Sequence, residues 1–168
     1  MRYTSRDLPA YRFVPGDAPH PTRDPAGHSF GEGTPVSQPW EPEEWRELGE
    51  WLWAVDLFND AYWWESHEAL EGLWHAAGRT TPAAKFVQAL VHLSAACLNR
   101  RRGHLDAARR QAARAVRGLR VARDGVCMTR DAGAVMGIDV ERLIGDVERS
   151  FAREEGPPIR IALAMDAS

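Results

Sequence analysis

The residues of this chain that could do chemistry lie close together in the stretch FNDAYWWESHEALEGLW at 58–74. His67 and Glu71 are four residues apart, so a helix places both side chains on one face. Glu68 occupies a neighbouring position on the helical wheel. An imidazole with carboxylates is a ligand set for zinc, iron or manganese, and the same residue types serve general acid–base catalysis.

The next helix along the chain supplies partners for this face. Gln88 and His92 lie on the only polar stripe of an otherwise apolar segment. If the two helices pack as antiparallel neighbours, this stripe meets the His/Glu face. That pairing predicts a divalent metal held by His67, Glu71 and His92. Glu68 is then the candidate general base of a hydrolase-like enzyme.

The spacing departs from the familiar metal motifs. Glu71 stands where the zinc-protease motif HExxH requires its second histidine, and His75 lies one turn too far along. The ExxH spacing of ferritin-like di-metal sites does not occur on these helices. No familiar metal motif therefore identifies a reaction or a substrate for this protein.

A second set of candidates lies near the N-terminus, where His20, Asp24 and His28 are spaced by four residues. In a turning segment these side chains could converge on one ion or reach over the second helix, which makes His20 and His28 further candidate metal ligands. The sequence favours the alternative, in which Asp24–Pro25 and the histidines form local turn hydrogen bonds.

Three interpretations of the His/Glu cluster stay open: a hydrogen-bonded network that fixes helix register, a bound metal, and a metal-free catalytic His–Glu pair. The first is favoured, since buried polar groups are tolerated only when they are satisfied. All seven tryptophans lie within 40–74, which favours a role in the core and against the N-terminal segment over a ligand cage.

Helical periodicity accounts for the elements that position these residues. The predicted helices are helix 1 from Pro42 to about Phe58, helix 2 over about 62–77, helix 3 after the Thr81–Pro82 start signal to about 100, helix 4 over about 104–123, and helix 5 after Asp139. No β pattern of useful length appears. The prediction is an all-α fold: a compact bundle of five to six helices built on two helix–turn–helix hairpins.

Composition divides the chain into three parts. Residues 1–41 are rich in Pro and Gly, which excludes helix and central strand, yet they contain aromatic anchors. We expect an extended arm over 1–41 packing on the domain, a helical bundle over 42–156, and a C-terminal tail over 157–168 with an extended piece, IRIAL.

Charge is segregated along the sequence. From Glu41 to Glu71 there are ten acids and one base, and from Arg100 to Arg123 there are nine arginines and one acid. The basic block could suggest nucleic acid, but the net charge is −3 and no aromatic residue interleaves the arginines. The favoured interpretation is that acidic and basic elements face each other or solvent. A homodimer or a protein partner is therefore expected before nucleic acid.

Hydropathy and cysteine usage bear on location. No apolar run reaches the roughly 18–20 residues of a membrane span, and the first residues lack an apolar signal-peptide core. Cys97 and Cys127 show no metal spacing. We expect a cytoplasmic protein without disulfides and without a membrane partner.

The helical stretch resembles domain of unknown function 309, a family of small all-helical bacterial and archaeal proteins. The pattern FNxxxYWExHExLExLW followed by FxQxLxxLxAA matches this chain from Phe58 to Ala96, with Trp63 in the Tyr position. Residues 8–30 are similar to an N-terminal extension of some bacterial members. The resemblance covers about 8–30 and 43–123 and implies a helical bundle; it implies no catalytic residue.

These observations favour a helical-bundle protein of unknown biochemical function that serves as an interaction or structural module. The alternative is a metal-dependent, hydrolase-like enzyme with its His/Glu site between helices 2 and 3. Whether the protein is an enzyme stays open on the sequence alone.

Overall fold

Within residues 2–32, 38–125 and 134–165, which the computed structural model describes, the chain forms five α-helices and one short hairpin. The helices are α1 (Gly49–Asn59), α2 (Trp63–Ala76), α3 (Pro82–Arg101), α4 (Leu105–Gly125) and α5 (Val140–Phe151). The strands β1 (Ala134–Val135) and β2 (Ile138–Asp139) pair antiparallel just before α5. The all-α prediction is confirmed. The small sheet was not predicted, because two-residue strands carry no recognisable periodicity.

The first α-helix begins later than its periodicity indicated. Pro42–Glu44 forms a single 3-10 turn, and α1 begins only at Gly49. The turn between them carries Trp45, which is 1% exposed, into the core. A Cβ at Gly137 would lie 2.5 Å from Cη2 of the Trp45 ring, so the indole packs directly on that glycine. The start of α1 therefore depends on a tertiary contact that a helical wheel does not contain.

Helix α3 occupies the centre of the bundle, in contact with both α2 and α4. It begins as the sequence indicated: the Thr81 side chain accepts a hydrogen bond from Ala84 N, and Pro82 stands in the first turn. Helices α3 and α4 approach closely where Gly118 faces Ala89, since a Cβ at Gly118 would lie 2.8 Å from the Ala89 Cβ. This layering puts the polar residues of α3 between those of its two neighbours.

The N-terminal segment lies along α1 and α2. Asp56 of α1 accepts hydrogen bonds from Tyr3 N (2.7 Å) and Thr4 N (2.8 Å). Further along, Phe13 is 5% exposed and its N–H donates to Glu65 Oε1 of α2 at 2.8 Å. The backbone of this segment therefore binds two buried carboxylates, one on each helix.

The C-terminal segment packs against the C-terminal end of α1. Asn59 and Ile161 exchange two hydrogen bonds of 2.8 Å between the Asn59 amide and the Ile161 backbone. Leu163 bridges to Ile138 of β2, and its N–H donates to the Tyr3 hydroxyl at 2.8 Å. The two terminal segments thus meet. No helix in the described part of the chain is both long and apolar enough to cross a membrane.

Candidate metal centre

Three side chains of α2 bring potential ligand atoms together. One ligand atom from each of His67, Glu68 and Glu71 lies within 4.8 Å of the others. His67 Nε2 and Glu71 Oε1 lie 3.8 Å apart, with side chains 28% and 40% exposed. No other group of three such residues meets this distance in the described ranges. The i, i+4 relation on a helix produces the pair, as the sequence indicated.

A backbone carbonyl orients the His67 ring. Nδ1 lies 3.2 Å from the Val91 carbonyl oxygen of α3. A carbonyl only accepts hydrogen bonds, so Nδ1 carries the hydrogen, and in the neutral imidazole Nε2 then has the free lone pair on the side of Glu71. Metal-binding histidines commonly have this arrangement, in which one ring nitrogen donates to a carbonyl and the other binds the ion.

The electrostatics of Glu68 connect the α2 group to the N-terminal segment. Partial burial removes water from the carboxyl group and so raises the pKa of Glu68, and the adjacent Glu71 raises this pKa further. His67, His20 and Arg23 act in the opposite direction. Two residues of the N-terminal segment therefore lie within electrostatic range of Glu68, which is itself exposed as a residue.

The separations set a condition on any ion held here. Two ligands on opposite sides of an ion with bonds of about 2.1 Å are at most about 4.2 Å apart. The His67–Glu71 contact of 3.8 Å satisfies this limit, whereas a separation of up to 4.8 Å within the group can exceed it. Binding of one ion by all three residues would then require a side-chain rotation within the group. Three protein ligands leave a coordination position for water.

His20 lies at the edge of this group without belonging to it. Its ring packs edge-on against Trp64 of α2 with centroids 5.4 Å apart, and against Phe13 at 5.1 Å. Thr22 N donates to His20 Nδ1 over a long 3.4 Å contact. The ring is held beside α2 by aromatic packing, within range of Glu68.

His28 reaches over α2, which is one of the alternatives that the sequence left open. Its Nε2 lies 3.2 Å from Glu65 Oε1, and the two side chains are 7% and 6% exposed. Nδ1 is 2.9 Å from the Ser29 hydroxyl. Both ring nitrogens are thus engaged within the fold, and His28 serves here to attach the N-terminal segment to α2.

His92 turns away from α2 and toward α4. Its Nδ1 lies 2.9 Å from Gln111 Oε1. It is not one of the three residues grouped within 4.8 Å, although His67 reaches α3 at Val91, the residue immediately before it. Burial lowers the pKa of His92 most, Arg114 and His67 lower it further, and the Gln111 hydrogen bond opposes the shift.

This lowered pKa predicts a pH dependence of folding. Below the ordinary value of 6.5 the unfolded chain binds a proton at His92 that the folded chain resists. The His92 contribution to the free energy of unfolding is therefore complete above that pH and is lost as the pH falls below it. His92→Asn keeps a donor toward Gln111 but does not titrate, so we expect a flatter stability profile between pH 7 and 5 in urea unfolding. Parallel profiles for the two proteins would contradict the assignment.

Sequence reasoning missed two buried carboxylates, Asp56 and Glu65, which are 1% and 7% exposed. A signal existed for Asp56, since it is the only charged residue in the run WLWAVDLF. Glu65 lies two residues before His67 and therefore faces away from the His/Glu face of α2. Its own face is covered by the N-terminal segment, which no wheel of α2 alone can indicate.

The comparison with known families bears on this same region. Residues 51–111 match the model described as domain of unknown function (DUF309). This segment is therefore similar to DUF309. The DUF309 match confirms the resemblance seen in the sequence and spans α1 to the first part of α4, including His67, Glu68, Glu71 and His92. It does not extend to His20 and His28. No curated protein and no solved structure matches the chain.

Proposed function

We propose that this protein binds a divalent transition-metal ion through His67, Glu68 and Glu71. The observation that carries the proposal is the convergence of one ligand atom from each residue within 4.8 Å. The Nδ1 contact of His67 with Val91 O supports it, because that contact leaves Nε2 available as a ligand. One imidazole with two carboxylates suits zinc, iron or manganese.

The proposed activity is metal-dependent hydrolysis. A site with three protein ligands retains a position for water, and an ion there lowers the pKa of that water far below its value in bulk solvent. Partial burial raises the pKa of Glu68 because it disfavours the charged carboxylate, and a bound cation would offset that penalty. His20 acts electrostatically on Glu68 from the N-terminal segment, which makes it the candidate for an additional ligand or proton carrier if its ring moves toward the group.

Metal binding tests the proposal directly. We expect the purified, untagged protein to bind about one Zn²⁺ or Mn²⁺ in isothermal titration calorimetry. His67→Ala should weaken the affinity at least about 100-fold, since loss of even an outer partner of a ligand costs about 10–100-fold. His104→Ala is the control: His104 is exposed at the start of α4 and lies outside the α2 group. A wild-type Kd weaker than about 1 mM, or equal loss in both variants, would refute the proposal.

A second candidate is the interaction or structural module that the sequence favoured, working as a homodimer or with a protein partner. The observation in its favour is the exposed, positively charged outer face of α4, where Arg110, Arg114 and Arg117 have no carboxylate within ion-pair distance in the described chain. Metal-free protein that sediments as a stable dimer would support this candidate. We also propose a cytoplasmic location, with which the free thiol of the buried Cys97 is consistent.

A further inference from the structure

Helix α4 presents a row of arginines that form no ion pair with a carboxylate of the described residues. Arg110, Arg114 and Arg117 recur at intervals of four and three residues, and all three are exposed. At about 100° per residue they fall within a sector of about 60°. Other arginines of α4 have carboxylate partners: Arg109 with Asp106 at 3.8 Å, Arg120 with Glu148 at 2.7 Å, and Arg123 with Glu141. We call the three unpaired residues the arginine row.

A polar path joins the arginine row to the α2 group. His67 Nδ1 contacts Val91 O of α3 at 3.2 Å. The next residue, His92, contacts Gln111 Oε1 of α4 at 2.9 Å. Gln111 and Arg114 are neighbours at i, i+3 on the same helix. Both His67 and Arg114 act electrostatically on the partly exposed His92. The α2 group and the arginine row therefore flank one residue of α3, and we call the surface from α2 across His92 to α4 the polar surface.

The charges on this surface indicate which class of ligand it binds. Glu68 and Glu71 repel an anion, but a divalent ion between them cancels their two negative charges. The remaining charge nearby is positive, from the arginine row and from Arg23, which acts on Glu68 from the N-terminal segment. Guanidinium groups bind phosphate through two parallel hydrogen bonds, and their weak hydration favours this use. The metal-loaded surface is thus suited to an anion with phosphate groups.

The distance that the ligand must span narrows the class of anion. From Arg110 to Arg117 the helix rises about 10 Å at 1.5 Å per residue. Helix α3 contacts both α2 and α4, so a ligand that meets the arginine row and the α2 group must extend across a helix, whose diameter with side chains is about 10 Å. A chain of phosphates or a phosphodiester backbone is long enough for this, whereas a single phosphate is not.

We propose that the ligand of the metal site is a phosphate chain, in which one phosphate lies at the ion and the others lie along Arg114, Arg110 and Arg117. This inference rests on the proposed metal site and names the class of its substrate. A nucleoside polyphosphate and a single-stranded nucleic acid share the chemistry, and the experiment below separates them.

The test measures anion binding to metal-loaded protein. Tripolyphosphate and a fluorescent single-stranded oligonucleotide of about 12 nucleotides are titrated separately, with total Mn²⁺ kept above total phosphate ligand so that chelation does not strip the site. We expect at least one of them to bind, and the variant R110Q/R114Q/R117Q to weaken that binding at least 10-fold. For the oligonucleotide the slope of log K against log salt should also fall by roughly 2, because three phosphate contacts are lost at about 0.7 each.

Matched measurements separate the possible failures. Arg109→Gln removes a positive charge from α4 outside the arginine row and should leave anion binding unchanged. Tripolyphosphate binding assigns a free phosphate chain, whereas binding of the oligonucleotide alone assigns nucleic acid. Normal metal affinity without binding of either anion, or equal binding by the triple variant, overturns this inference and leaves the metal site standing. Anion binding that does not require Mn²⁺ also overturns it. If the unmodified protein does not bind the metal ion, the proposed function itself is overturned.

Discussion

Replacing Asp56 with Asn is expected to lower the free energy of unfolding by about 3 kcal/mol, since hydrogen bonds to a charged group contribute about 1.5–3 kcal/mol each and are not additive. Asp56 is 1% exposed. Its Oδ1 accepts from Tyr3 N at 2.7 Å, and its Oδ2 accepts from Thr4 N at 2.8 Å and from the Thr4 hydroxyl at 2.7 Å. Both oxygens face donors, so either orientation of an Asn amide points an NH₂ group at an N–H.

Urea unfolding followed by circular dichroism measures this effect. Glu50→Gln is the matched control, since it removes one negative charge from the same helix at an exposed position. We expect the control to change stability by less than about 0.5 kcal/mol, as surface substitutions usually do. A loss below about 1 kcal/mol for Asp56→Asn would show that the first residues do not depend on this carboxylate.

Replacing Glu65 with Ala is expected to cost about 3 kcal/mol and to release the N-terminal segment from α2. Glu65 Oε1 accepts from Phe13 N at 2.8 Å and lies 3.2 Å from His28 Nε2. Removing it leaves the buried Phe13 N–H and Nε2 of the buried His28 ring without this acceptor, and we expect the segment to detach as a result. Faster hydrogen exchange at Phe13 and His28 would report that release.

Glu65→Gln supplies a sharper comparison, because the two oxygens of Glu65 are used unequally. Oε1 makes both contacts, while Oε2 is buried without a hydrogen-bond partner. A Gln carbonyl can take the place of Oε1, and its NH₂ group then replaces an oxygen that had no partner. We expect a loss below about 1 kcal/mol, since removing a poorly paired buried charge offsets the change. A loss equal to that of Glu65→Ala would instead indicate that the negative charge itself holds His28.

The Glu65 carboxylate also connects folding to the proposed metal site. Phe13, which Glu65 binds, packs on both His20 and Trp64. Release of the N-terminal segment would therefore withdraw His20 and Arg23 from Glu68, the two residues that lower its pKa from that side. Metal affinity measured in Glu65→Ala would show how much the segment contributes to the site.

Local patterns were enough to predict the helices. The start of α3 follows from Thr81 and Pro82, because a side-chain cap and a proline in the first turn act within a few residues. The His67–Glu71 contact follows in the same way from the i, i+4 spacing of a helix.

The partners of each polar side chain needed the tertiary structure. Sequence spacing grouped His92 with His67 and Glu71, yet the rotation of α3 between its neighbours turns His92 to Gln111 on α4. The turn that breaks helix 1 likewise follows from the packing of Trp45 on Gly137. Rotations and crossings of helices arise from the whole packed core, which no window of sequence contains.

The sequence by itself therefore determined an all-α chain with one His/Glu face on its second helix, because helical periodicity, caps and i, i+4 spacing are local properties. Only the tertiary structure decided which acids are buried and what they bind. Asp56 and Glu65 meet donors 52 to 53 residues away in the chain. Such contacts form only when the N-terminal segment lies across α1 and α2, and their energy depends on the exclusion of water by that packing.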